Sequence, residues 1–300
     1  MVHGSSHGAL HGSLVALVTP FVEGAVDEEG LRGLVRFHLD NGTDGLVPCG
    51  TTGEAATLTV EEFDLVVGIV VKEVGGRIPV VAGTGTNSTA TTVERTLRSK
   101  ALGVDAALVV TPYYNKPTQE GLYQHYKAVA EAARMPLVVY NVPGRTSGNI
   151  LPKTVERLTD LEEIVAVKEA SGDLGQITEV LGRVGDRVAV LSGDDGLNFP
   201  IACLGGAGCI SVLGNLVPAD NARLFAAVRE GRLEEARALH HKYHELVAML
   251  FVETNPLPVK TALSMMGKVR PEFRLPLCPM GDDTRARLLQ TLVRYGLVDA

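Results

Sequence analysis

The sequence predicts an α/β fold, a (β/α)8 TIM barrel followed by a C-terminal extension of three helices. Three observations carry that expectation. Eight short apolar runs rich in β-branched residues recur along the chain, each followed by a longer amphipathic stretch. The runs are continuously apolar rather than alternating, as in parallel strands covered on both faces. A length of 300 residues holds one barrel of strand–helix units and an appendage. A doubly wound sheet shares the period, but it usually has fewer strands and often opens on a glycine-rich turn. Here Thr19-Pro20 follows the first run instead.

The elements follow in order. Strands are expected at residues 14–18, 44–47, 79–82, 106–110, 137–140, 164–167, 188–191 and 209–212. Asp27-Glu28-Glu29 opens a helix that stops at Asn41-Gly42, an acidic start and an Asn-Gly end. Thr59 with Glu62 reads as a capping box, and Gly75-Gly76 closes that helix. Thr118 leads the segment through residue 133, and Asp220 lies just before a helix over 221–229 that ends at Gly231. Beyond it the strand signal stops, and residues 233–251, 258–267 and 283–295 read as helices. The division expected is a disordered tail over 1–12, a barrel over 13–231 and a helical extension over 232–300. The Gly/Ser/His-rich tail has neither the basic start nor the apolar core of a secretory signal.

Composition narrows the function classes. Basic residues number 28 and acidic residues 35, for a net charge of −7, and no basic patch is present, so no nucleic-acid partner is expected. No apolar run approaches the ~18 residues of a membrane span. Four cysteines (Cys49, Cys203, Cys209 and Cys278) have no framework spacing and lie in apolar segments. They read as buried free thiols of a cytoplasmic protein. Glycine is abundant, 33 of 300 residues, and much of it falls at the ends of the strands.

Barrel enzymes carry their chemistry at those ends. The residues there are Gly50-Thr51-Thr52-Gly53-Glu54, Gly83-Thr84-Gly85, Thr111-Pro112-Tyr113-Tyr114-Asn115, Tyr140-Asn141, Lys168-Glu169 and Ser192-Gly193-Asp194. Without histidine or a carboxylate cluster, the set disfavours a metal hydrolase or a two-carboxylate glycosidase, and neither metal nor cofactor is called for. Lys168 follows Val165-Ala166-Val167, and strand alternation sends Lys168 to the face opposite Val167 and Glu169. If that face is the barrel interior, the amine is desolvated and becomes a nucleophile able to form a Schiff base with a carbonyl. A lysine snorkelling from the strand end is the plainer alternative. Tyr140 ends the preceding strand, within reach, and a hydroxyl relay can run from it through Thr51 to Tyr114. Thr51-Thr52 between glycines offers N–H and hydroxyl donors to a small carboxylate. The ordinary readings are a rim tyrosine and a capped turn. Lys260, after Asn255-Pro256-Leu257-Pro258, reads as a capping or pairing residue.

Three of these segments, Gly50-Thr51-Thr52-Gly53-Glu54, residues 140–146 (Tyr-Asn-Val-Pro-Gly-Arg-Thr) and residues 167–172 (Val-Lys-Glu-Ala-Ser-Gly), resemble motifs of the dihydrodipicolinate synthase / N-acetylneuraminate lyase family. The resemblance runs from about Ser13 to the end of the chain. It implies a class I aldolase-type lyase of lysine/diaminopimelate biosynthesis, condensing pyruvate with L-aspartate 4-semialdehyde. Lys168 would form the Schiff base, with Tyr140, Thr51 and Tyr114 as proton relay and Tyr114 supplied across a subunit interface. Thr52 would hold the pyruvate carboxylate, Arg145 the carboxylate of the semialdehyde, and Gly193 and Ile210 would line the pyruvate pocket with backbone. A homotetramer built from tight dimers is implied as well. Relatives acting on keto-deoxy sugar acids lack the Pro-Gly-Arg-Thr pattern around Arg145. They are the nearest alternative, and a non-catalytic sensor on the same barrel is the more distant one. Feedback-inhibited relatives bind lysine through a polar set that includes His and Glu. The matching positions here are Ala55, Ala56, Val60, Phe63, Asn87, Thr91 and Tyr113. Phe63 and Thr91 replace the polar and acidic partners, so weak or absent lysine inhibition is expected.

Two histidine sets are discounted. His3, His7 and His11 lie in the tail, and His240, His241 and His244 share a helical stretch without a third-ligand pattern.

Overall fold

The structure, a computed structural model, describes residues 10–299. Most of the expected tail, with His3 and His7, lies outside the described residues. Eight parallel strands form the barrel wall: β1 (Gly12–Ala16), β2 (Gly45–Val47), β3 (Val81–Gly83), β4 (Ala106–Val110), β5 (Leu137–Asn141), β6 (Ile164–Glu169), β7 (Ala189–Ser192) and β8 (Gly208–Ser211). Their spatial order is β2-β1-β8-β7-β6-β5-β4-β3, and a parallel bridge between Leu46 and Val80 closes the ring.

Alternation sorts the side chains into two shells. Leu14, Val47, Val81, Leu108, Val138, Ala166 and Leu191 fill the interior. Val15, Leu46, Val109, Val139, Val167 and Val190 face the helices in a second cluster. Both faces are therefore apolar, which is why the strands read as unbroken apolar runs. Full burial of each valine or leucine among them contributes roughly 1.5–3 kcal/mol.

The barrel helices are α1 (Glu28–Asp40), α2 (Val60–Val74), α3 (Thr89–Ala101), α4 (Gln119–Ala133), α5 (Pro152–Leu158), α6 (Leu174–Val184), α7 (Asn198–Cys203) and α8 (Pro218–Arg229). The local cap signals are realised. Asp27 accepts from the Gly30 N–H at 2.9 Å, Thr59 and Glu62 form the capping box, and Thr118 caps α4. Gly75 ends α2 in the left-handed region.

Several details differ from the sequence expectation. A short antiparallel pair, Phe21–Val22 with Ala25–Val26, follows β1; two-residue strands leave no periodicity to read. Helix α8 starts at Pro218, whose fixed φ suits the first helical position, so Asp220 lies inside the first turn rather than before it. Instead of capping, Asp220 accepts from Lys242 Nζ at 2.8 Å and from the Tyr243 hydroxyl at 2.6 Å. Tyr243 marks a break that divides the first helical stretch of the extension into α9 (Leu233–Lys242) and α10 (His244–Leu250). The remaining two stretches are α11 (Leu257–Met265) and α12 (Asp282–Arg294). Cys49 and Cys209 are buried as expected, but Cys203 and Cys278 are exposed: one ends α7 and the other lies in the loop before α12. Among the described residues no helix is long and apolar enough to cross a membrane, and no group of three or more His, Cys, Asp and Glu side chains is placed to hold a metal ion. His240 packs against the Phe199 ring.

Candidate active site

Strand register sets the centre of the site. Ala166 is an interior residue of β6, so Lys168, two positions on, is interior too, while Val167 and Glu169 face outward. In the β5–β6 ladder Tyr140 lies opposite Lys168, and in β6–β7 Leu191 does. Lys168 is 6% exposed and Tyr140 7%, and Lys168 Nζ lies 4.2 Å from the centre of the Tyr140 ring. The amine is thus held in the barrel interior against a phenol instead of reaching solvent along the strand end.

The backbone beside it is constrained by glycine. A β-carbon on Gly193 would meet Lys168 Cε at 2.9 Å and Ala170 Cβ at 2.7 Å, so only glycine leaves the lysine stem where it stands. Gly83 plays a like part beneath the β2 loop, where a β-carbon would meet the Cys49 carbonyl oxygen at 2.2 Å.

That loop carries Thr51 and Thr52. It folds on itself through Gly53 N–H to Gly50 carbonyl and Glu54 N–H to Thr51 carbonyl bonds, both 3.1 Å, and the Thr19 hydroxyl holds the Gly53 carbonyl at 2.7 Å. Thr52 is buried, and its Oγ1 accepts from Asn255 Nδ2 at 3.0 Å. The Asn255 carbonyl in turn accepts from an Arg145 Nη at 3.2 Å. One residue of the extension therefore touches both Thr52 and Arg145.

Behind the lysine, Glu169 is fully buried and accepts from Asn141 Nδ2 at 3.2 Å and from the Ser171 N–H at 2.7 Å. Burial raises its carboxyl above the usual range, against the pull of those donors. Asp195 fixes the segment after β8 by accepting from the Ser211 hydroxyl at 2.5 Å and from the Val212 and Leu213 N–H groups at 2.9 and 2.8 Å.

Lys168, Tyr140, Thr51, Thr52, Arg145 and Gly193 line one cavity of about 340 Å³ at the carboxyl end of the barrel. Ile210 is on β8 in the interior cluster beside Tyr140 and is not among the lining residues. Tyr114 is not brought to the cavity by its own chain: it is 87% exposed on the loop after β4, at a φ of 75°. Asn255 and Asp194 also line the cavity but were not singled out by sequence reasoning. The strand-end position of Asp194 was a usable signal. Asn255 offered only an Asn-Pro step far along the chain. Lys260 was expected to cap or pair; it pairs, at 2.6 Å, with Glu54, and both side chains are wholly buried.

An amine, a phenol, two threonines and a guanidinium around one small enclosed space can bind an α-keto acid, form an imine and move protons about it. Comparison with known proteins agrees in kind. The profile of the Dihydrodipicolinate synthetase family matches residues 9–294. The chain is 54% identical over 287 residues to the 4-hydroxy-tetrahydrodipicolinate synthase of Thermodesulfovibrio yellowstonii, covering 96% of this chain and 99% of that one. The crystal structure of dihydrodipicolinate synthase from Aquifex aeolicus superposes with a TM-score of 0.95 at 47% identity, over 97% of this chain and 100% of that one. The enzyme from Acinetobacter baumannii, solved in complex with pyruvate, gives a TM-score of 0.94 at 44% identity, over 96% and 99% of the two chains.

Proposed function

The chain belongs to the dihydrodipicolinate synthetase family, and from that premise we propose that it catalyses the 4-hydroxy-tetrahydrodipicolinate synthase reaction, joining pyruvate to L-aspartate 4-semialdehyde. The observation that carries the proposal is the enclosure of Lys168 beside Tyr140, Thr51, Thr52 and Arg145 in one cavity. Lys168 Nζ attacks the keto carbon of pyruvate; loss of water leaves an imine. A proton leaves the pyruvate methyl group, and the resulting enamine carbon bonds to the aldehyde carbon of the semialdehyde. The substrate's own amino group then displaces Lys168, closing the ring and freeing the lysine. Tyr140 and Thr51 move the protons of imine formation. The Thr52 turn holds the pyruvate carboxylate, the backbone at Gly193 bounds the pyruvate, and Arg145 receives the second carboxylate as a planar fork.

Tyr114 completes the relay in the cavity of a second copy. In support, it is an almost fully exposed aromatic at a left-handed backbone position, a costly arrangement unless something else fixes it. A homotetramer of tight dimers in the cytoplasm is the assembly proposed. Mixing inactive Tyr114→Phe with inactive Lys168→Ala should restore part of the activity, because each mixed dimer then holds one complete site. No recovery, in oligomers shown to exchange subunits, would place Tyr114 elsewhere.

The reaction itself is tested by following pyruvate-dependent loss of L-aspartate 4-semialdehyde with the purified protein. Turnover is expected. Failure to turn over the semialdehyde, with cleavage of a keto-deoxy sugar acid instead, would replace this reading with an aldolase of other specificity. Arg145 lining the cavity favours the first.

A further inference from the structure

Three charged residues line the catalytic cavity: Lys168, Arg145 and Asp194. The first two have parts in the proposed reaction, the amine as nucleophile and the guanidinium for the second carboxylate. Asp194 has none. It follows Gly193 at the exit of β7, and the cavity lining contributed by the neighbouring β8 exit and the extension is apolar: Val212, Val247 and Ala248 on α10, and Phe251. All of these belong to the same chain. Around the ring β7 lies four strands from β3 in either direction, so Asp194 is across the barrel from the loops after β2 and β4.

The residue is firmly held. Its N–H donates to Ser192 Oγ at 3.3 Å, and its carbonyl accepts from that hydroxyl at 2.9 Å. Oδ1 accepts from the Gly196 N–H at 2.9 Å, which leaves Oδ2 without a partner among the described residues. Among those residues no lysine, arginine or histidine pairs with the carboxylate. Burial, and to a lesser degree the neighbouring Asp195, raise its carboxyl above the usual range, against the pull of the Gly196 N–H. Such an anion gains most from a cation brought into the same cavity.

L-Aspartate 4-semialdehyde brings one. It is an amino acid, with an ammonium on the same carbon as the carboxylate assigned to Arg145. Neither Arg145 nor a protonated Lys168 accepts an ammonium, because each offers only donors of like charge. Asp194 is the one acid in the lining. We propose that Asp194 binds the α-ammonium of the semialdehyde and so selects the amino aldehyde over an analogue that lacks the amine. The proposal rests on the reaction proposed above and adds the group that positions the nitrogen which later closes the ring.

Steady-state kinetics of the intact protein test it. Absence of turnover in the unaltered protein would refute the reaction itself, and this assignment with it. Given turnover, Asp194→Asn removes the charge while its amide oxygen still accepts from the Gly196 N–H. The KM for L-aspartate 4-semialdehyde should rise about tenfold or more, as expected for loss of a charge-assisted pair, with a much smaller change in kcat. The inhibition constant of succinate semialdehyde, which has hydrogen in place of the ammonium, should be unchanged. Asp194→Glu should retain part of the selectivity. Trapping of pyruvate on Lys168 by borohydride should be equal in all three proteins, which also shows that the variants fold. An unaltered KM in Asp194→Asn, equal weakening of both aldehydes, or loss of pyruvate trapping would each overturn the proposal.

Discussion

Lys168 owes its place to two neighbours, the ring of Tyr140 on one side and the bare backbone of Gly193 on the other. Replacing that glycine is therefore a sharp probe. Gly193→Ala inserts a methyl 2.9 Å from Lys168 Cε, and overpacking of this kind costs about 1–3 kcal/mol. The expected result is a fall in kcat of about tenfold together with a thermal midpoint lowered by a few degrees; unaltered kcat would show that the stem moves freely. Asn255→Ala removes the 3.0 Å bond to Thr52 but leaves the backbone carbonyl that meets Arg145. Loss of about 1 kcal/mol should raise the KM for pyruvate roughly fivefold and that for the semialdehyde much less. Equal changes in both would argue for a general loosening of the loop. Lys168 was legible in the sequence because alternation along a strand is local. Asn255 was not, since its partner Thr52 is 203 residues away and no spacing rule connects them.

The loop after β2 and helix α11 are joined by one interior bond, Glu54 to Lys260. Burial pulls the Lys260 amine below its usual value even though Glu54 favours the charged form. Phe21 and Phe273 lie over the amine, with ring centres 4.1 and 5.3 Å away. Lys260→Met strands the carboxylate and should cost about 3–5 kcal/mol, read as a drop in unfolding free energy. Adding Glu54→Gln should recover a large part of that loss. A double variant no more stable than Lys260→Met alone would mean that the lysine stem, not the pair, matters. Elements of this kind divide according to what forms them. The caps at Asp27, Thr59 and Thr118 were readable because each bonds within its own turn. The break at Tyr243 was hidden, because its hydroxyl bonds to Asp220 on α8, and the pattern of apolar residues runs straight through it.

Across the barrel the polar groups that matter are few and mostly interior, so pH acts through a small number of sites. Burial lowers His38 to about 3 and His125 to about 4. Each is neutral in the folded chain, bonded at Nδ1 to Thr43 and Thr89 respectively at 3.0 Å, with Nε2 unpartnered. Below an ordinary histidine value of about 6.5 the unfolded chain binds protons that the folded chain refuses. Stability is therefore full above about pH 6.5 and is lost as pH falls, by about 1.4 kcal/mol per pH unit for each histidine inside its window. Thermal midpoints between pH 7.5 and 5.5 should fall less steeply in the His38→Gln/His125→Gln protein; an identical slope would assign the loss to other groups. The barrel as a whole was legible from eight apolar runs of one period. The assembly proposed for Tyr114 rests on resemblance, since an exposed tyrosine on a loop has no sequence signature of its partner.

The central claim is that Lys168 forms the imine with pyruvate. Incubating the protein with pyruvate and borohydride and mapping the mass increase by peptide analysis tests it directly. One reduced pyruvate per chain should appear on Lys168 and be absent from Lys168→Ala. Label on another lysine, or none on folded protein, would contradict the account.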